Sequence, residues 1–410
     1  MPRRSFYLSM FRTQSTQTSF SRRAQTALAL VATSLLCACS TTPPKEETKI
    51  ATFEISSYEE INVASFEDWS KALVAFQQSC SKLKSSPWNQ LCTKAINTNS
   101  NDGSAAKFFF ETYFQPWRVS AIGEHDTQDT GLMTGYYEPL LRGSRQKEGP
   151  YQTPIYGVPD DLLIIDLGAL YPDLKGRRLR GKLAGRRVVP YDDRRAIDQR
   201  TDMERWAIAW VDDPVDAFFL QIQGSGRIAL PDGSFMRVGF ADQNGWKYQA
   251  IGSWLVKNEG LSWHELSMQR IRTWAKANPS KVENALAQNP SFVFFAERSG
   301  APTLGPIGAQ GVPLTPGGSV AVDPREWRLG TPFIVAADQT QPDLHFSRPV
   351  IAQDTGGAIR GLLRFDYFWG FGDEAGLQAG HQKSTARAWV LVPVGLRPED
   401  IRPGGKAIPR

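Results

Sequence analysis

Between residues 65 and 81, SFEDWSKALVAFQQSCS, apolar residues recur at helical spacing, with Phe66, Trp69, Leu73 and Phe76 on one face. A second helix is predicted over 105–114. From 135 to about 237 the pattern changes to short alternating runs broken by Gly, Pro and Asp, such as GRRVVPYDD and AFFLQIQGSGRIALPDGSFMRVGF. These read as β-structure, a small barrel, with Asp232-Gly233 as a hairpin turn. A helical stretch follows over about 248–287. After Pro290 the runs SFVFFAE, GSVAVDP, TPFIVAA, PVIAQD, LLRFDYFWG and ARAWVLVPV predict six short strands. Many short strands and few long helices suggest a closed sheet without exposed edges.

The first 38 residues follow another pattern. Arg3, Arg4, Arg12, Arg22 and Arg23 precede the apolar run ALALVATSLLCA, which is the layout of an export signal. The run ends in Leu36-Cys37-Ala38-Cys39, resembling a bacterial lipoprotein cleavage box, so 1–38 are expected to be removed and Cys39 acylated. An ordinary secretory signal is the alternative. Ser40 after the cysteine favours delivery to the outer membrane, facing the periplasm. Residues 39–52, polar and proline-containing, read as lipid anchor and tether. No later stretch is long and apolar enough to span a bilayer.

Composition then changes the picture in two respects. The chain is 41% hydrophobic and 22% charged, which excludes a disordered protein. Its net charge of +5 comes from the five signal arginines; without them, basic residues equal the 42 acidic ones. The basic balance is therefore no argument for nucleic acid. Cys80 and Cys92 remain, read as a disulfide in an oxidising compartment, with two buried thiols as the alternative. The four histidines are scattered, and no metal or other cofactor is expected. The basic segment 175–187, KGRRLRGKLAGRR, reads as a solvated loop, or as a contact for acidic stem peptides.

Asp-Thr-Gly occurs twice, at 129–131 and 354–356. Paired loops of this kind would suit an aspartic endopeptidase, in which two carboxylates share a proton. Both triplets follow Gln, however, and Asp129 lies in the polar stretch EHDTQDTGLMTG. It reads as an ordinary turn residue. Asp323, Asp354 and Asp366 instead end or interrupt strand-like runs, where catalytic groups gather. On a strand, Arg364 and Phe368 would share the face of Asp366. A carboxyl held against apolar surface has a raised pKa, as a general acid near neutrality requires. Contact with Arg364 would oppose that.

TGYYEP (134–139), FFLQIQGSGRI (218–228), NPSFVFFAE (289–297) and AVDP…DTGGAI…RFDYFWGFGDEAG…WVLVP resemble the membrane-bound lytic transglycosylase A family over about 65–396. The last portion looks like the 3D domain, whose three aspartates map onto Asp323, Asp354 and Asp366. The resemblance implies a mainly β fold. A double-psi β-barrel domain would be formed by 53–138, with helices, and by 297–410. A smaller β-barrel domain over 139–296 would be inserted between them, across a groove. It further implies cleavage of the MurNAc-β-1,4-GlcNAc bond of peptidoglycan to 1,6-anhydromuropeptides, with Asp366 as the single acid/base and Asp354 and Asp323 shaping the site. Tyr136, Tyr137, Glu138, Gln221, Gln223, Ser225, Asn244, Thr355, Gly356, Gly357 and Trp369 are the expected glycan contacts. The implied partners are glycan strands, the outer membrane and cell-wall synthesis or division complexes. A non-catalytic peptidoglycan-binding lipoprotein is the other alternative.

Overall fold

The computed structural model describes residues 50–403 except 62, 64, 124, 125, 176, 178, 264, 265, 302 and 303. The expected signal, Cys39 and residues 39–49 of the expected tether lie outside the described residues. Residues 50–52, read as the end of the tether, instead open strand β1 (Ile50–Ile55). A short helix α1 (Tyr58–Ile61) leads to α2 (Phe66–Ser79), α3 (Trp88–Ile96) and α4 (Gly103–Tyr113). Trp69, Leu73 and Phe76 of α2 are buried at helical spacing, but Phe66 is 55% exposed, because it sits in the first turn beyond the packed face. Asp102 caps α4 by accepting from the Ser104 and Ala105 N–H groups. A Cys80–Cys92 disulfide joins the end of α2 to α3, as one of the two readings expected.

Strands β2 (Phe114–Ile122), β3 (Thr127–Gln128) and β4 (Gly131–Glu138) follow, and the chain then enters a second sheet. The next elements are β5 (Leu140–Ser144), β6 (Thr153–Tyr156), β7 (Leu163–Ile165), β8 (Leu179–Ala184) and β9 (Arg187–Pro190). After them come α5 (Arg194–Gln199), β10 (Ala207–Val211), α6 (Pro214–Gln223), β11 (Ser225–Ala229) and β12 (Phe235–Gln243). AFFLQIQ is helix rather than strand. Asp213 caps it, Pro214 starts it and Gly224, at φ +78°, ends it, so local signals override an apolar run of ambiguous period. The helical stretch is three helices, α7 (Gly252–Glu259), α8 (Met268–Ala277) and α9 (Pro279–Leu286). The basic segment is no loop: β8 and the start of β9 lie in it.

Strand β13 (Val293–Glu297) closes the second sheet's sequence, and the chain returns to the first with β14 (Ser319–Ala321), β15 (Pro332–Gln339), β16 (Leu344–Asp354) and β17 (Arg364–Phe371). Helix α10 (Gly372–His381), β18 (Lys383–Pro393) and α11 (Pro398–Ile401) complete it. All six strands predicted after Pro290 form. The first sheet has nine strands in the order β1-β2-β18-β15-β16-β14-β17-β4, with β3 on β2. Because β4 also pairs with β18, the pairings of β4, β17, β14, β16, β15 and β18 form a closed circuit. The second sheet runs β13-β12-β11-β5-β10-β6, and β7-β8-β9 form a third. Helices α2 to α4 cover the first sheet with a core that includes Trp69, Phe76, Phe110, Phe333 and Phe365.

Candidate active site

Strand β17 lies parallel to β4 and sets Asp366 opposite Thr134. The Thr134 hydroxyl donates to Asp366 Oδ1 at 2.5 Å. Arg364, on the same face, donates through Nη2 to Thr134 Oγ1 at 2.9 Å. Arg364 also donates to the Phe365 carbonyl. The guanidinium thus holds the threonine, and among the described residues Asp366 Oδ2 carries no hydrogen bond and the carboxylate forms no ion pair. Burial pushes the Asp366 carboxyl up to about 6. The Thr134 hydrogen bond and the Arg364 charge oppose that rise, and the nearby Asp354 charge adds to it.

Asp354 ends β16 and differs from Asp366. Its Oδ2 accepts from the Tyr136 hydroxyl at 3.0 Å, and its Oδ1 from the Ala309 and Thr355 N–H groups, both at 2.9 Å. Burial raises its pKa against these donors, and burial with the Asp354 charge raises that of Tyr136. The Tyr136 ring lies against Phe368, with centroids 5.2 Å apart. Asp323 is fully buried behind the site. Burial works to raise its carboxyl, but the Arg325 guanidinium at 2.6 Å, the Gly361 N–H at 2.8 Å and the Arg325 N–H hold it below the usual range. It therefore fixes the turn that leads into β17. Thr355 meets Asp354 only through its N–H, while the Gly356 carbonyl accepts from Ile359 N and Arg360 Nη1. A side chain at Gly357 would meet open space. The other Asp-Thr-Gly is elsewhere: Asp129 pairs with Arg118 at 2.6 Å, both partly exposed. Among the described residues Asp129 and Asp354 have no partner in common.

Two family models match the chain, the MltA specific insert domain over 132–296 and the 3D domain over 318–392. The crystal structure of MltA from Neisseria gonorrhoeae is similar at 33% identity and a TM-score of 0.72, over 87% of this chain and 95% of that one. The chain belongs to the membrane-bound lytic murein transglycosylase A family. Members are peptidoglycan-cleaving enzymes. A Vibrio cholerae relative of that name is 29% identical over 67% of this chain and 68% of its own. The crystal structure of Escherichia coli MltA with bound chitohexaose is 27% identical, with a TM-score of 0.62, over 85% and 96% of the two chains. Asp323, Asp354 and Asp366 all fall inside the 3D match; Thr134 and Tyr136 fall just inside the insert match.

The other residues that the family motifs nominate lie in several places. Tyr137 is buried, its N–H donates to Gln223 Oε1 at 3.1 Å, and both line a cavity of ≈ 300 Å³ with Phe219, Ile251, Trp263 and Met268. Trp369 packs between two apolar clusters, and its indole N–H donates to Gln382 Oε1 at 2.7 Å. Gly135 is required here, since a Cβ would stand 2.7 Å from that same Oε1 and from Trp369 Cδ1. Ser225 opens β11 opposite Gly239. Glu138 is buried on Arg227 at 2.8 Å. Gln221 accepts from Arg194 and the Val293 N–H. Asn244 is buried, donating to the Asp192 and Pro290 carbonyls and accepting from Phe292 N–H. The polar atoms of these last three serve the protein's own framework rather than the surroundings of Asp366. Sequence reasoning passed over Thr134, although it opens the motif TGYYEP; the cue was a hydroxyl on a strand next to a carboxylate-bearing one. Among the described residues no cluster of three metal-binding side chains occurs.

Proposed function

We propose that the enzyme cleaves the MurNAc-β-1,4-GlcNAc bond of peptidoglycan without water, with Asp366 as its single acid/base. The observation that carries this reading is one raised carboxyl whose Oδ1 is occupied by Thr134 while Oδ2 carries no hydrogen bond. Near pH 6 about half the molecules hold a proton on Asp366. Oδ2 donates it to the glycosidic oxygen as that bond breaks and GlcNAc leaves. The resulting carboxylate takes the proton from the C6 hydroxyl of MurNAc as that oxygen closes on C1. The product is a 1,6-anhydro end, and Asp366 is again protonated. Water-using glycosidases need two carboxyl groups. Here Asp354 is engaged by Tyr136 and two N–H groups, and the nucleophile is already part of the sugar, so its proximity is built in.

The closed circuit of six pairings supports a double-psi barrel for the first body, with 139–296 inserted between its halves. The oligosaccharide bound by the Escherichia coli relative supports an extended glycan as ligand, lying across Asp366 and flanked by Tyr136, Thr355 to Gly357 and the Tyr137–Gln223 cavity. The lipoprotein box and the membrane-bound relatives support acylation at Cys39 and placement at the outer membrane, facing the periplasm. A Cys39→Ser chain should then lose lipid labelling and leave the membrane fraction.

Digestion of purified sacculi with mass spectrometry of the fragments tests the chemistry. Anhydro ends are expected; reducing ends would make water the nucleophile and end the single-carboxyl mechanism. In the same assay Asp129→Asn should digest normally and Asp354→Asn poorly. Equal, complete loss in both would restore the paired-aspartate protease.

A further inference from the structure

The three-stranded sheet β7-β8-β9 carries ion-paired side chains on one face and mostly aliphatic ones on the other. Its register puts Ile164, Arg180, Lys182, Ala184, Arg187 and Val189 on one face and Leu163, Ile165, Leu179, Leu183, Val188 and Pro190 on the other. Arg180 and Lys182 of the first face turn toward the protein, where Arg180 pairs with Asp242 at 2.8 Å and Lys182 with Asp192 at 2.5 Å, while Ile164, on the edge strand β7, is 69% exposed. The apolar face turns away. Leu183 is 65% exposed and Val188 51%, and no residue of the three strands belongs to any of the four apolar clusters of the described residues. Leu170 and Tyr171, in the β7–β8 connection, are exposed as well. Exposed apolar surface of this kind on one small sheet calls for a partner.

Charge identifies the partner. Residues 162–190 carry seven basic and two acidic residues, in a chain that balances overall once its leader is set aside. Arg186 and Arg187 flank the tip of the β8–β9 hairpin, where Gly185, at φ +61°, makes the tight turn. Neither arginine forms an ion pair among the described residues, and neither do Lys175 and Arg177. Exposed aliphatic side chains beside cations that form no ion pair match the interface of an anionic bilayer, which buries the former and binds the latter through phosphate. A two-fold contact with a second copy would set these arginines against their own counterparts. No helix among the described residues is long and apolar enough to cross a membrane, so the contact would be superficial.

We propose that the outward face of β7-β8-β9, with the 184–187 tip leading, docks on a bilayer surface containing anionic phospholipid. This holds whether or not Cys39 is acylated, and it orients the folded body where a tether alone would leave it free to turn. The test uses the mature chain from residue 39 with Cys39→Ser, so that no acyl chain contributes. It should sediment with vesicles of phosphatidylglycerol and phosphatidylethanolamine, weakly or not at all with phosphatidylcholine, and less as salt rises. Leu183→Asp with Val188→Asp, and separately Arg186→Glu with Arg187→Glu, should each weaken vesicle binding by about tenfold or more. Both pairs are exposed, so circular dichroism and sacculus digestion should match the parent. Failure of the parent to bind anionic vesicles, or binding by both variants as tight as the parent's, overturns the proposal. So does a dimer in sedimentation velocity that Leu183→Asp dissociates, since a second copy would then cover the face.

Discussion

Burial moves the Asp366 carboxyl from its ordinary value of 3.8 to about 6, and two consequences follow. On the proposed mechanism the glycosidic oxygen needs the protonated form, so kcat/KM should fall as pH rises above about 6, tenfold per unit once the group is ionised. Thr134 donates to the ionised carboxylate and holds the pKa down. Thr134→Val should therefore shift that limb to higher pH; a limb that stays in place would detach Thr134 from the titration. The second consequence concerns stability. The fold disfavours the ionised form, so the favourable contribution is complete below about 4 and is lost as pH rises through about 6. Asp366→Asn removes the titration. It should bind sacculi, release anhydro products at least about a hundredfold more slowly, and unfold at higher urea than the parent above pH 7, by up to about 3 kcal/mol. Equal stability of the two proteins at pH 8 would show that burial does not perturb this carboxyl.

Elements were legible where period and punctuation agreed. The six strands after Pro290 and helix α2 are plain in the alternation and in the spacing of Trp69, Leu73 and Phe76. Helix α6 was misread because Phe218, Phe219, Leu220 and Ile222 form a nearly continuous apolar run that fits either period. Asp213-Pro214 and Gly224 were the decisive signals. Helix α10 escaped notice because three glycines in GDEAGLQAGH argue against it. There Gly376 is forced by packing: a Cβ would stand 2.8 Å from the Tyr137 ring. Of the candidate site, Asp354 and Asp366 stand out in the sequence, but the parallel β17–β4 register that brings Thr134 to Asp366 joins segments 232 residues apart. No local pattern encodes such a pairing. At this scale the Cys80–Cys92 bridge carries its own prediction. It closes a 12-residue separation between α2 and α3, with both cysteines buried in the main core. Replacing both by Ser should cost about 2–3 kcal/mol on the loop-entropy account, measured by urea unfolding. Titration of the denatured, unreduced mature chain should find neither thiol free.

At the scale of the whole molecule, the question is what holds the two large sheets in one relation across the site. Strand β4 ends at Glu138, and the second sheet begins at Leu140. At that crossing Glu138 Oε2 accepts from Arg227 Nε at 2.8 Å, with both side chains almost fully buried. Arg227 belongs to β11 of the second sheet, donates to the Leu304 carbonyl at 3.2 Å and lies 4.1 Å from the centroid of Phe371, at the end of β17. One guanidinium therefore touches β4, the 304 loop and the end of the strand that carries Asp366. Burial raises the Glu138 carboxyl even against the Arg227 charge, so the pair is held in a setting that tolerates neither member alone. Glu138→Gln should destabilise the protein by about 3–5 kcal/mol, because it breaks a buried ion pair by removing the carboxylate charge. Arg227→Met should do the same to the carboxylate, and the double variant should cost clearly less than the sum of the two. Tyr136 lies two residues upstream of Glu138, so variants that fold should also lose activity as Tyr136 moves from Asp354. Urea unfolding of the four proteins, with sacculus digestion of each, measures both effects. Additive costs below about 1 kcal/mol each would show that the sheets are held together elsewhere.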